Sequence, residues 1–432
     1  MIGMINTKVL AVLVVVLVAA AGIGAVLLLS GGEGKYRSAD DTGRLMIFGN
    51  ANNDDYLDRD DIETLEKIIE GNVEETPLAD ANQDGVVDQK DIEFVEKMLR
   101  QEKMTIYYQY RFSGEPMIGS VKYPIERACV VGTNALVTVK AIGATDKVVC
   151  IYGTPSNSPM DPVLFSDMVN LPKVSTSSFE ADTEEVSKYN VGTIITQDSA
   201  SYVDNEALFI KAGVDVVRIA ASDGLESLAG ILTVGYLTQN EKRAQEYVKF
   251  CDDILAELEK KVGADAMDDA DRVTTLSVTM TNYVGGLPSD YYAATQLAGA
   301  KNLADWDKTT QQFKLDDEWL LVPKYQADFI VHARSIGYGE VDLQETWDLY
   351  SKYFTEMNAY KEGHYVILNG NMPVSIRLAY MASLYYPEIF GADWGSNIHQ
   401  EYIDRFMDNL HESGYDVNED GTFLITKNMV NA

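Results

Sequence analysis

The sequence predicts an α/β protein: two α/β lobes joined by one long backbone helix, preceded by a small α-helical module and by an N-terminal membrane-spanning helix. Three observations predict it. Short apolar strands alternate with helices twice along the chain, the pattern of layered sheets with helical crossovers. Between the two passes, residues 240–262 carry a single apolar stripe at 3–4 spacing. Ahead of both passes, a twelve-residue acidic loop occurs twice, 30 residues apart. The predicted segments are 1–35 (anchor or signal), 44–102 (duplicated loop-helix module), 104–223 (first lobe), 224–263 (linking helical region) and 264–432 (second lobe).

The 432 residues hold 35 basic and 67 acidic side chains, a net charge of −32. Nucleic-acid binding needs a basic face that displaces counterions, and docking on anionic lipid needs a basic patch, so this balance argues against both. Three scattered cysteines (Cys129, Cys150, Cys251) exclude a disulfide framework and a cysteine zinc site, and four histidines without helical pairing leave little for a histidine metal centre.

From Val9 to Leu29 run 21 residues without a charge, closed by Ser30-Gly31-Gly32. A helix of that length rises about 30 Å, enough to cross a bilayer core. A cleaved secretory signal is the alternative, with Ala19-Ala20-Ala21 as small residues for a peptidase, although its apolar core is usually about 7–15 residues. Lys8 on the inner side and the acids beyond Gly32 orient the body outward. The expected location is the cell membrane, by a single anchor, with the body extracytoplasmic.

The two loops read NANNDDYLDRDD (50–61) and DANQDGVVDQKD (80–91). Calcium takes about six to eight oxygen ligands, and a twelve-residue loop supplies them from alternate positions, one backbone carbonyl and a closing carboxylate. Here those positions are Asn50, Asn52, Asp54, the Tyr56 carbonyl, Asp58 and Asp61, then Asp80, Asn82, Asp84, the Val86 carbonyl, Asp88 and Asp91. Two Ca2+ sites are expected. Gly85 suits the sharp turn at position 6, where the first loop has Asp55, and the first loop opens on neutral Asn50. The second site is therefore expected to be tighter. Ile62, Leu65 and Ile69 share one face of the following helix, and Ile92, Val95 and Leu99 do the same after the second loop. Duplicated EF-hand-like loop-then-helix units closing on Asp resemble a dockerin module, which implies a cohesin-like protein partner. Positions 10 and 11, which help choose that partner, are Arg59-Asp60 and Gln89-Lys90. A calcium-stiffened spacer is the other reading.

Along the body, the expected strands are 104–112, 128–131, 148–153, 193–195, 214–219, 273–278, 328–332 and 364–368. The expected helices are 135–142, 184–189, 206–212, 224–237, 240–262, 291–299, 319–325, 346–357, 373–385 and 397–411. Two lobes on one helix make a cleft for gripping a ligand.

Several segments then resemble the helix-linked substrate-binding proteins of ABC importers for iron-siderophores, haem and cobalamin. Tyr123-Pro124 through Val131 is similar to the family's opening "Y-P-x-R-V-V-x-L" segment. Asn134-Ala135-Leu136 through Val149 is similar to its "x-A-L-x-A-L-G-A-x-D-R-I-V" unit. Leu208 through Val217 resembles "L-x-x-A-G-I-P-V-V", Arg243-Ala244 with Tyr247 the start of the linking helix, and Tyr386 through Phe390 "Y-P-E-x-F". Such a body behind a dockerin and an anchor resembles archaeal surface proteins. The resemblance implies an ABC permease as partner and a metal-chelate or tetrapyrrole ligand, with no enzymatic activity. Permease docking would fall to Glu184 and Glu318. Ligand-contact candidates at the sheet edges are Asn134, Tyr152, Tyr202, Tyr283, Tyr291, Arg334, Tyr338 and Asn371. Tyrosines stack on a macrocycle or ligate ferric iron, and Arg334 pairs with an anionic chelate.

No G-x-S-x-G, phosphate loop, H-E-x-x-H or G-x-G-x-x-G occurs. The remaining alternative is a calcium-dependent, dockerin-bearing surface scaffold or polysaccharide-active enzyme.

Overall fold

The computed structural model of the chain describes residues 44–112, 115–153, 161–175, 179–221, 224–287, 289–304, 312–315 and 321–430. The anchor or signal expected over 1–35, and Glu318, lie outside the described residues. No helix among those described is long and apolar enough to cross a membrane. Two compact units divide inside the long helix: the first holds residues 44–153 and 170–249, the second 161–169 and 250–430. The loop-helix module thus shares a unit with the first sheet, and 161–169 joins the second unit ahead of the linking helix.

In the first unit, α1 (Arg59–Ile69) and α2 (Gln89–Leu99) follow the two loops. Both start with a reciprocal capping box, Asp58 with Asp61 and Asp88 with Asp91. This satisfies the free amides of the first turn and places acids at the positive end of the helix. The helices close over Ala51, Leu65, Ala79, Ala81, Ile92 and Val95. Next come β1 (Met104–Phe112) and β2 (Glu115–Tyr123), an antiparallel hairpin. Only its first strand was expected. The segment before the first loop lies along β1, with Phe48 N–H donating to Tyr107 (3.0 Å) and Gln109 N–H to Met46 (2.8 Å).

Strands β3 (Ala128–Val131), β4 (Val148–Ile151), β5 (Thr193–Gln197) and β6 (Asp215–Ile219) form a parallel sheet in the order β4-β3-β5-β6. Helices α3 (Thr133–Ala141), α4 (Thr183–Ser187) and α5 (Glu206–Lys211) supply crossovers. Strand β3 is buried at every residue, as its unbroken apolar run requires. Helix α6 (Ser227–Leu237) is buried from Leu228 onward, and α7 (Glu241–Val262) is the predicted long helix. Its buried stripe runs through Ala244, Val248, Cys251, Ile254, Leu258 and Val262, so Ile254 rather than Leu255 holds the central place.

The second unit is built on a seven-stranded mixed sheet. Strands β7 (Thr274–Thr279), β8 (Tyr283–Gly285), β9 (Lys301–Asn302), β10 (Gln312–Lys314), β11 (Phe329–Arg334), β12 (Tyr365–Asn369) and β13 (Leu424–Thr426) compose it. The path runs β10-β8-β7-β11-β12-β13, with β9 beside β7. Strands β7, β11 and β12 are mutually parallel, β8 and β13 run against them, and β10, antiparallel to β8, runs with them; β8, β10 and β13 lie outside the expected strands. Helices α8 (Asp290–Leu297), α9 (Leu343–Ser351), α10 (Asn358–Glu362), α11 (Val374–Tyr385), α12 (Pro387–Phe390), α13 (Trp394–Phe406), α14 (Asp408–Ser413) and α15 (Lys427–Val430) complete it.

Three expected helices come out differently. In place of 319–325 the described part holds only a 3-10 turn, Pro323–Tyr325, because proline at 323 lacks the amide that would continue an α-helix. The helix expected over 346–357 ends at Ser351, and α10 starts separately. The C-terminal helix breaks at Met407, whose backbone (φ −118, ψ 71) is not helical.

Candidate functional site

Parallel sheets present ligands to the carboxyl ends of their strands, where loops lead into crossovers. In the first unit three of the predicted residues gather there. After β3 comes Gly132 at φ +104, and a Cβ on it would lie 2.8 Å from the Tyr202 ring. Glycine is required twice over, for conformation and for space. Thr133 shares a 2.7 Å hydrogen bond with the Tyr152 hydroxyl, and Asn134 follows, half-buried. Tyr152 is fully buried just past β4, and burial pushes its phenol up to about 12. Tyr202 is half-buried with its ring 4.9 Å from Phe179.

Arg218 holds the Tyr202 loop from beneath. It is 2% exposed, and its guanidinium donates to the carbonyls of Gln197 (3.2 Å), Ser199 (3.3 Å), Tyr202 (3.0 Å) and Val203 (3.1 Å), and to Glu206 (2.7 Å). Val203 stands at φ +48, an outlier for a β-branched residue. Nothing in the local sequence marks Arg218, which sits inside the short strand β6.

In the second unit, β7, β11 and β12 end at Thr279, Arg334 and Asn369. Tyr283 pairs with Thr279 across the turn, so it stands at the same edge. Asn371 is exposed there, its N–H donating to Asn369 Oδ1 (2.8 Å). Arg334 donates through Nη2 to the Tyr350 hydroxyl (3.0 Å), and its guanidinium carbon lies 4.3 Å from that ring. Its Nε is buried and has no hydrogen-bond partner. Tyr291 lies in α8 with the Arg377 guanidinium 5.1 Å from its ring. Tyr338 is placed in the core: it is 5% exposed and packs on His399, Tyr415 and Phe423. Tyr350 was not foreseen, because it reaches Arg334 from a helix later in the chain.

The two acidic loops repeat a core set of hydrogen bonds at the 30-residue offset. Asp61 accepts from Asn52 N–H (3.2 Å) and Asp58 N–H (2.8 Å), and Asp91 from Asn82 N–H (3.1 Å) and Asp88 N–H (2.8 Å). Asp54 N–H donates to Asn50 and Asn52, Asp84 N–H to Asp80 and Asn82. Asn53 and Gln83 share the left-handed conformation, φ +58 and φ +59. Tyr56 and Val86, at position 7, are both exposed.

The loops differ in how they treat a cation. In the second, the Lys90 ammonium stands 3.0 Å from Asp84 and 3.3 Å from Asp88, a cation between two carboxylates that calcium would also join. The donor set there, four carboxylates and one amide oxygen, fits calcium. In the first, Asn50 is fully buried and spends its amide hydrogens on the Leu45 and Asp54 carbonyls (2.8 Å each). Among the described residues no group of three or more His, Cys, Asp or Glu side chains is gathered as a metal centre. The loop carboxylates point at the loop's own amides. Burial pushes the Asp61 carboxyl up to about 7 and raises Asp91.

Glu184 is exposed in the first turn of α4, where Asp182 caps the helix by accepting from the Glu184 (2.8 Å) and Glu185 (3.0 Å) amides.

No protein-family model matches this chain, and no curated relative does. Solved structures do. A periplasmic solute-binding protein from Veillonella parvula matches with a TM-score of 0.55 at 18% identity, over 73% of this chain and 97% of its own. A TroA-like periplasmic binding protein, FepB, from the same organism gives 0.55 at 16%, over 72% and 97%. The molybdate periplasmic binding protein MolA from Haemophilus influenzae, bound to molybdate, gives 0.54 at 15%, over 68% and 95%. These proteins are matched over nearly their whole length, and at such low identity the likeness speaks for architecture: the chain has the fold of periplasmic solute-binding proteins.

Proposed function

We propose that the chain is the extracytoplasmic substrate-binding component of an ABC importer for an anionic metal chelate, an iron complex, haem or corrinoid, tethered through the segment 9–29. The observation that supports this reading best is Arg334. It ends a central parallel strand at the edge where such folds take ligands, forms no ion pair with a carboxylate among the described residues, and keeps a buried Nε without a partner. A buried donor left unpaired costs about 1–3 kcal/mol. An acidic group of a ligand removes that penalty. Tyr350 steadies the guanidinium, and Tyr283 and Asn371 stand along the same edge. The role is binding, with no reaction assigned.

The module is proposed to bind calcium, in the second loop first, and to stiffen the stretch between anchor and body. A cohesin-like partner would meet Gln89 and Lys90. Permease docking is assigned to Glu184 and Glu318, for charge-assisted contacts with arginines.

Titration of the purified chain with a ferric siderophore, haemin and cobalamin, followed by intrinsic fluorescence, tests the reading. At least one binds with a dissociation constant in the micromolar range or below, and Arg334→Ala weakens it tenfold or more. Saturable binding by none of the three would sink it. Glu184→Arg with Glu318→Arg keeps affinity and loses stimulation of the transporter's ATPase.

A further inference from the structure

Met280 follows β7 directly, at the edge that carries Arg334 and Tyr283. It is 56% exposed, and its backbone stands at φ +49. An unbranched L-residue in that region is strained by about 1–3 kcal/mol and persists only where the surroundings enforce it. Buried His332 donates from Nε2 to the Met280 carbonyl at 2.6 Å, while its Nδ1 accepts from the Tyr365 hydroxyl at 2.7 Å. Those two bonds fix the tautomer, and desolvation pushes the imidazole down to about 4, so it stays neutral at neutral pH. His332 pairs with Val278 across the β7–β11 ladder, which puts the clamp between the strand that ends in Arg334 and the turn that carries Met280. The first unit repeats the device: Val203, also at positive φ, has its carbonyl held by buried Arg218, next to Tyr202.

A turn with no role for its side chain would carry glycine or asparagine here, as neither is strained at positive φ. We infer that Met280 is a ligand-contact residue, its backbone held by His332 at the carbonyl and its exposed thioether serving as an apolar wall for a flat, anionic metal chelate whose acidic groups reach Arg334. Thioethers are polarisable and pack well on aromatic faces. The inference rests on the binding function proposed above and narrows the ligand to one with an extended apolar face.

Haemin is the probe. The experiment measures its affinity and the melting temperature of the chain for wild type, Met280→Gly, Met280→Leu and Arg334→Ala. Met280→Gly is expected to raise the melting temperature by relieving strain, and to weaken haemin at least tenfold. Met280→Leu, which keeps the apolar bulk, is expected to stay within threefold of wild type. Unchanged haemin affinity in Met280→Gly, with Arg334→Ala impaired, overturns the role of Met280 and leaves the binding function standing. Binding of a ferric siderophore but not haemin by wild type likewise overturns only this inference. Binding of no chelate overturns both.

Discussion

The Arg44 guanidinium closes on Asp55 at 2.6 Å, and the Arg44 amide donates to the same carboxylate at 2.6 Å. Asp55 occupies position 6 of the first loop, the place that Gly85 takes in the second at φ +90. Arg44 is 7% exposed, so the pair is largely shielded from water. The first loop therefore carries its own cation, and its leading side chain is a neutral amide already bonded through both hydrogens. Calorimetry on the whole chain is expected to resolve a strong calcium site lost in Asp80→Ala, and a much weaker one affected by Asp54→Ala. Arg44→Met with Asp55→Gly should strengthen the weak site. Two sites of equal strength in wild type would refute the asymmetry, and no calcium heat at all would refute the module's role.

Asp61 makes the calcium-free module sensitive to pH. Its side chain is buried beside Asp54 and Asp58, and its carboxyl stands near 7, against 3.8 in an unfolded chain. The folded state holds the proton more tightly, so stability is full below about pH 4 and falls as pH rises through 7. A shift of this size corresponds to a few kcal/mol on the order of magnitude that linkage allows. Asp61→Asn should flatten the profile in chelator, read by hydrogen exchange over 44–102. Added calcium should flatten it too. A module whose exchange rates show no extra opening between pH 5 and 8, after correction for intrinsic chemistry, contradicts this.

The second unit should respond in the opposite sense. His332 and His399 are both fully buried, and desolvation pushes them down to about 4 and about 3 from 6.5. An unfolded chain takes up protons below 6.5 that the folded one refuses, so stability present above that pH is lost as pH falls toward 4. All four tryptophans (Trp306, Trp319, Trp347, Trp394) follow residue 250 in the sequence, and the two described ones, Trp347 and Trp394, belong to this unit, so tryptophan fluorescence reports on it. Its melting temperature should drop steadily between pH 6.5 and 4.5, and the drop should shrink in His399→Gln. A pH-independent melt over that range would be inconsistent with two buried neutral imidazoles.

How far the sequence could be read follows from the reach of each interaction. Helix α7 was legible because its 22 residues keep one apolar stripe, and β3 and β12 because each is a short apolar run with turn residues beyond. Strand β2 was not: Pro116 and Gly119 argue against a strand. Gly119 is there because the Tyr108 ring lies where its Cβ would be. That is a contact with the partner strand, invisible to local pattern. Across 319–325 the proline at 323 starts a 3-10 turn in the described part, where the sequence predicts an α-helix. At the sheet edges Arg334 was legible as a basic residue ending an apolar strand. Tyr350, His332 and Met280 were not, since what marks them is a hydrogen bond or a backbone angle.

Arg218 offers the last test, because its role is to shape a loop rather than to touch a ligand. One guanidinium ties the carbonyl of Gln197 at the end of β5, three loop carbonyls and Glu206 to β6, and the Tyr108 hydroxyl, 3.0 Å from the Arg218 amide, covers it from the hairpin. Arg218→Met leaves Glu206 and those carbonyls without a donor, and breaking a buried pair of this kind costs about 3–5 kcal/mol. Arg218→Lys should recover little of that, since one ammonium cannot span acceptors that a planar fork reaches together. A merely structural loss would lower stability and leave the ligand's affinity alone at temperatures where the chain stays folded. If the bonds also aim Tyr202, affinity measured well below the melting temperature should fall several-fold in Arg218→Lys, and Tyr202→Ala in the same background should cost nothing more. A full further loss on adding Tyr202→Ala would show that Tyr202 is placed without Arg218.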